Sequence, residues 1–370
     1  MIEIVSPERA ELVQLVRTFL DARSPLSEVR RWSERGTYDP AVWEQMSKEL
    51  ELPALAIPEE YGGMGFGPVE LGLVMEELGR GLYNGPYLAS AGLAASALLQ
   101  SADSSSCTRY LPRIATGELR GCLAFAEPGS SWNGADPCTR AVDGNDGPVL
   151  HGTKTFVVGG LESDVIITSA ADPTTGGTTL FAVESTSPGV TRTAMPTLDL
   201  TRPLTQIDFE AAPASRIGRP GEGADTLSRV LSVGAILLAA EQLGGSARCL
   251  EMAVEYAKIR EQFGRPIGSF QAVKHRCVDM LVDVEASRSA VLLALTALAN
   301  DSDFTAEAAL ARAQCSEAFS RVAAANVAVH GGIGFTWEHD AHLFLKRAKS
   351  SEQLLGSPSV HREVLASTFL

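Results

Sequence analysis

The sequence predicts an α+β chain in three successive parts: an N-terminal helical segment, a compact antiparallel β-domain and a longer C-terminal helical segment. Three observations carry this. Apolar residues recur at helical spacing from residue 7 to about 118, the pattern changes to short β-branched runs from about 119, and helical spacing returns after the loop Gly218-Arg219-Pro220-Gly221. The expected bounds are 1–118, 119–214 and 215–370.

In the first part Leu12, Val13, Val16, Phe19 and Leu20 follow Ser6 and Pro7, an N-cap and a first-turn residue. Further helical runs cover about 39–50, 68–81, 87–100 and 104–116, and the Gly-rich stretch 58–67 (PEEYGGMGFG) between them is a loop. The β-domain is expected from CLAFAEP, then 148–158, 164–168, 178–183, 189–192 and 205–209, all short and separated by Gly, Pro and Asp. Helices then span about 223–262, 270–300, 303–328, 338–353 and 359–368. No internal repeat is visible.

With 370 residues the chain can bury a large core and form two or three domains. Its net charge of −14 supplies no basic surplus to neutralise phosphates, which argues against nucleic-acid binding. The six cysteines are scattered and never form CxxC, as in a reducing compartment. The first residues lack the basic start and apolar run of a signal peptide, and no uninterrupted apolar stretch is long enough for a bilayer. A cytoplasmic protein without a membrane partner is expected.

Candidate chemistry concentrates in the last part. The helix from 223 has an apolar stripe through Leu227, Val230, Gly234, Leu237 and Leu238, and Glu241 falls on it, two turns after Gly234. A carboxylate on a buried face is either a proton acceptor with a raised pKa or the partner of a hidden arginine. Arg248 shares the face but lies about 10 Å further along by the helical rise, too far to pair directly. The same helix runs into YAKIREQFGRPIGSFQAVKH (256–275), a helix end, a Gly/Pro turn and a restart within twenty residues. Arg260 there reads either as a phosphate-holding cation or as a surface arginine beside a turn. Gly331, Gly332 and Gly334 in HGGIGF let a backbone approach a ligand or another chain. His339 and His342 invite a metal reading, but no third ligand is evident and packed or capping imidazoles are the commoner outcome.

PEEYGGMG, AEPG (126–129), YAKIREQFGRPIGSFQ and HGGIGFT together resemble the acyl-CoA dehydrogenase family over nearly the whole chain. The resemblance implies an N-terminal helical domain, a central antiparallel β-domain and a C-terminal four-helix domain that tetramerises. It also implies FAD held between the β-domain of one subunit and the C-terminal helices of another. Carried over by position, Arg260, Gln262, Phe263, Gln271, Gly331, Gly332 and Gly334 match the contacts made to a neighbouring subunit's FAD. An acyl-CoA substrate, and electron-transfer flavoprotein or a similar acceptor, are implied as partners.

Other positions depart from the pattern. Ala126 stands where a Thr usually precedes Glu-Pro, and Phe156-Val157-Val158 replaces Trp-Ile-Thr, so two hydroxyl donors to the flavin ring are missing. Leu355 stands where many members carry the catalytic Glu, and Gly234 where others do. The chain resembles the actinobacterial branch that acts on CoA esters of steroid side chains and pairs two different subunits. Two roles follow: an FAD enzyme with Glu241 as base, or a partner subunit that completes a paralogue's FAD site, in a homo- or heterotetramer.

Overall fold

A computed structural model describes residues 6–130, 132, 134, 136–145, 147–300 and 303–369. Those residues fall into two compact units, one drawn from within 1–35, 68–84 and 235–370, the other from within 36–67 and 85–234. Both units are interleaved along the chain, and their division passes through the long helix rather than at either end of the β-domain.

The first unit is helical. Helix α1 (Pro7–Arg23) starts as its sequence demands, with Ser6 Oγ accepting the Arg9 N–H at 3.4 Å and Pro7 in the first turn. A short helix, α2 (Leu26–Ser33), follows that the apolar spacing does not announce, because only Val29 and Ser33 are buried among charged neighbours. In the second unit come α3 (Pro40–Lys48) and the loop after it. Helix α4 (Pro68–Arg80) returns to the first unit and buries Leu71, Val74, Met75 and Leu78 on one stripe.

The run expected as one helix over 87–100 is two. Leu88–Ala94 winds as a π-helix of small residues, and α5 (Ala95–Gln100) continues it as an α-helix. After α6 (Ser104–Ala115), capped by Asp103 on the Ser105 and Ser106 N–H groups, an eight-stranded sheet begins. Its strands are β1 (Gly121–Ala124), β2 (Arg140–Gly144), β3 (Gly147–Val158), β4 (Val165–Ala171), β5 (Thr178–Glu184), β6 (Val190–Met195), β7 (Leu204–Pro213) and β8 (Ser215–Ile217). The order is β6-β7-β3-β2-β4-β5-β8, with β1 beside β4. Pairing is antiparallel except at β4, which meets β1, and the end of β2, in parallel. Cys122, Leu150, Ile166, Phe181, Val183 and Ile207 form the centre of its core.

Helix α7 (Gly223–Ile259) is the longest element. An 18-residue window in it has mean hydropathy 1.4, so by length and composition it does pass for a membrane span, contrary to the sequence expectation. Packing explains the apolarity, since 83% of that window is buried inside the protein. It ends three residues before the expected 262, because β9 (Glu261–Gln262) and β10 (Arg265–Pro266) form a two-residue hairpin. Then come α8 (Gln271–Ala299), α9 (Thr305–His330), α10 (Ala341–Gln353) and α11 (Pro358–Phe369), with α9 packed against α8, α10 and α11.

Two glycines fix the helix crossing at the centre of the first unit. A Cβ on Gly79 would lie 1.9 Å from the Glu241 carbonyl oxygen, and one on Gly244 1.8 Å from that of Glu76. Helices α4 and α7 therefore touch backbone to backbone at Glu241, which no other residue type permits.

Candidate functional site

The two stretches singled out by sequence come together at the ends of α7 and α9. Tyr256 stacks on His330 with ring centroids 4.4 Å apart, and His330 lies 4.2 Å from His339. His339 Nδ1 accepts the Ala341 N–H at 3.1 Å, a capping role at the start of α10. Among the described residues no group of three His, Cys, Asp or Glu could hold a metal ion.

Beyond this junction the hairpin is built to display its tip. Phe263 (φ 55°) and Gly264 (φ 73°) both take left-handed conformations between the paired Gln262 and Arg265, the geometry of a tight hairpin turn. A phenylalanine held there is strained, a feature that clusters at functional positions. Its ring is 92% exposed and meets Phe270 edge-on at 6.1 Å, while the Arg265 guanidinium lies 4.2 Å from the Phe270 ring. Arg260, Gln262 and Gln271 are exposed around it. Gly331 and Gly332 are open, with nothing within 4 Å of an added Cβ, whereas Gly334 is packed against His330 and Val327. Ile333, Phe335 and Trp337 complete an apolar outward surface.

Glu241 is elsewhere on the helix and differently employed. Arg347 Nη1 donates to its Oε1 at 2.8 Å, with the two side chains 1% and 6% exposed for Arg347 and Glu241. Of the two expectations for Glu241, the pairing with a hidden arginine is the one the structure shows. The next residue is anchored too, since Gln242 Oε1 accepts from Arg312 Nη1 at 3.1 Å. Sequence reasoning missed Arg347. The signal was present, because Arg347 falls at helical spacing with Phe344, Ala348 and Ser351, on the buried face of α10.

The segment that would carry the other usual base keeps a special backbone without the acid. Leu355 has φ 58°, is buried, and precedes Gly356 at φ 101°. Arg312 Nη2 donates to the Ser351 and Leu354 carbonyls, and His361 Nε2 to the Leu355 carbonyl at 3.0 Å. Burial, and then the Arg312 charge, push His361 down from 6.5 to about 4. Folding thus opposes protonation of His361: its contribution is complete above about 6.5 and is lost as pH falls toward about 4. His361→Gln, which keeps a donor without titrating, should flatten the fall in unfolding temperature between those limits; an unchanged acid limb would remove His361 from this account.

In the sheet, the Ala126 position is set by a buried ion pair. Lys154 Nζ lies 2.7 Å from Glu127 Oε1, with side chains 0% and 4% exposed, and Glu127 also accepts the Cys138 and Thr139 N–H groups at 2.6 and 2.9 Å. Burial disfavours both charges. Lys154 and the backbone donors nevertheless hold the Glu127 carboxyl at about 2, while burial draws Lys154 down to about 8, so the carboxylate is the more firmly fixed charge. The Thr155 N–H donates to the Ala126 carbonyl at 2.9 Å, and β3 bulges after Lys154. That bulge turns Phe156 outward at φ 55°, 5.6 Å from Trp132, which is 6.0 Å from Phe125. Ala126 and Val158 offer no side-chain donor, and an aromatic stack stands beside them. On this face Ala126 and Val158 lack the hydroxyls that the resemblance leads one to expect, whereas an exposed arginine, two glutamines and two open glycines are the groups displayed around the hairpin and the end of α9.

The comparisons agree with the architecture. The descriptions "Acyl-CoA dehydrogenase, N-terminal domain", "middle domain" and "C-terminal domain" match residues 6–118, 122–211 and 221–370. The chain belongs to the acyl-CoA dehydrogenase family. Its fold is that of the family, and the family is one of flavoprotein oxidoreductases. Acyl-CoA dehydrogenase IpdE2 of Mycobacterium tuberculosis is 39% identical over 90% of this chain and 86% of its own. The ChsE4-ChsE5 complex of the same organism contains a chain that superposes with TM-score 0.90 at 29% identity, over 100% and 99% of the two chains. A chain in the structure described as electron transferring flavoprotein of Acidaminococcus fermentans superposes with TM-score 0.94 at 27% identity, over the whole of both.

Proposed function

We propose that this chain is a subunit of an FAD-dependent acyl-CoA dehydrogenase in which it completes the FAD site of a paralogous chain. The observation that carries the reading is the Glu241–Arg347 pair. The carboxylate considered as a base is held in a buried contact at 2.8 Å, and Leu355 and Gly234 fill the two positions where the family otherwise carries one. The sheet's lack of hydroxyl donors at Ala126 and Val158 points the same way.

The exposed surface supports the other half of the proposal. Phe263, Phe335 and Trp337 are large exposed apolar side chains, and Arg260, Gln262 and Gln271 are exposed as well, features of the kind that another chain covers. Arg260 would hold the cofactor's phosphates as a charged donor, Phe263 would offer a ring face, and the open Gly331 and Gly332 would admit a close backbone approach. When bound, FAD supplies the acceptor for the hydride that leaves the acyl β-carbon. This chain's residues would hold and orient that cofactor from its distal side.

The substrate class proposed is a bulky acyl-CoA such as a steroid side chain. It rests on the likeness to IpdE2 and to the chain in the ChsE4-ChsE5 complex, and the latter also favours a heteromer. A cytoplasmic location, an electron-transfer flavoprotein as acceptor and the division at 118 and 214 belong to the same proposal. Expressing the chain alone and measuring bound flavin tests it. Flavin-free protein is expected, and one FAD per chain bleached by an acyl-CoA would return the catalytic role to this subunit.

A further inference from the structure

Helices α1, α4, α7 and α8 line a half-open cavity of about 480 Å3 within the first unit, inside the range of roughly 300–1,000 Å3 common for small-molecule sites. Its floor is aliphatic: Val13, Leu73, Leu243, Ala247, Val291 and Leu295 face it. The floor is also rigid, because Gly244 lies in it, at the backbone contact of α4 with α7. A second, polar cavity of about 330 Å3 is lined by Ser24, Ser27 and Arg248 among others. The two share Arg17, Glu77 and Arg80, so an apolar chamber and a polar one meet at one cluster of charges.

That cluster is not balanced pair by pair. Glu77 takes Arg17 in two hydrogen bonds of 2.6 and 2.9 Å, and Glu76 takes Arg288 at 2.8 Å. Glu251 is shared, accepting from Arg80 and, at 3.2 Å, from Arg248. Two guanidiniums therefore face one carboxylate where the chambers meet. The acids on the polar chamber's outer wall are Asp21, which is exposed, and Asp340, which Arg30 binds. Burial raises the Glu76 carboxyl, which stays in its ion pair with Arg288, and Arg288 also meets Glu285 at 3.7 Å, away from the junction of the chambers.

We propose that the two chambers bind an amphipathic carboxylate, its apolar body against Leu243 and Leu295 and its single anionic head between Arg80 and Arg248. An aliphatic floor takes a tail by the hydrophobic effect, and paired guanidiniums take a carboxylate by charge-assisted hydrogen bonds. A cationic head would meet two arginines. The inference does not depend on which subunit carries the flavin.

Decanoate titrated calorimetrically into the purified protein, in the assembly it forms, tests this. Saturable binding of one decanoate per chain is expected, with decyltrimethylammonium at least about tenfold weaker. Arg248→Gln, a change at the partly exposed member of the cluster, should weaken decanoate about tenfold, as loss of one charge-assisted hydrogen bond implies. Ala247→Trp, which fills the apolar chamber, should abolish it. No saturation below about 1 mM, equal binding of the two amphiphiles, or indifference to Arg248→Gln would each overturn the proposal.

Discussion

Glu241→Gln should lower stability by about 3–5 kcal/mol, the cost of removing one partner of a buried ion pair, while leaving turnover per folded assembly unchanged. The substitution keeps the side chain's shape and leaves the Arg347 charge without its carboxylate in a site where the two are only 1% and 6% exposed. Arg347→Met should cost a similar amount for the converse reason. Because most of either loss is the penalty for a buried charge that has lost its opposite, the double variant Glu241→Gln/Arg347→Met should recover most of it. Denaturant unfolding of the four proteins measures the coupling. A catalytic base behaves otherwise: the single variant would fold normally and stop flavin bleaching by substrate.

Glu127→Gln should be comparably damaging to the sheet, again by about 3–5 kcal/mol, and worse than Lys154→Met. The asymmetry follows from what each change leaves behind. Without Lys154, the Glu127 carboxylate still accepts two backbone N–H groups at 2.6 and 2.9 Å. With Gln at 127, Lys154 loses the charge that holds its proton against burial and is left with a neutral amide oxygen, Ser169 Oγ at 3.3 Å and the Phe125 carbonyl at 3.4 Å. Amide exchange should show the protection loss centred on β1, β3 and β4; equal effects of the two variants would mean that the pair is not the anchor described above.

Much of this is legible in the sequence, and the gaps have particular causes. The helical and β segments followed their periods, but β2 went unseen because RAVDG buries Ala141 alone and holds Gly and Asp. The direction of β1 was also hidden: all four of its residues are buried, so there is no alternation to read, and its parallel pairing with β4 is a property of the tertiary fold. Helix α7 overran its end on paper since Arg260 and Gln262 are plausible helix residues, and only the Phe263-Gly264 turn ends the run.

The site shows the same division. Glu241 is conspicuous on an apolar stripe, and pairing with a hidden arginine is one of the two roles such a position predicts. What a single helix could not reveal is that the partner lies 106 residues later, on α10. Local pattern exposes an anomalous charge, whereas its compensation is decided by which helices cross.

The most direct test of the partner-subunit account is flavin stoichiometry, read from the absorbance spectrum and native mass of the protein expressed alone and with a paralogous chain. The account predicts colourless protein alone and, on co-expression, a heteromer with one FAD for every two chains. A yellow homomer with one FAD per chain, bleached by an acyl-CoA, would contradict it.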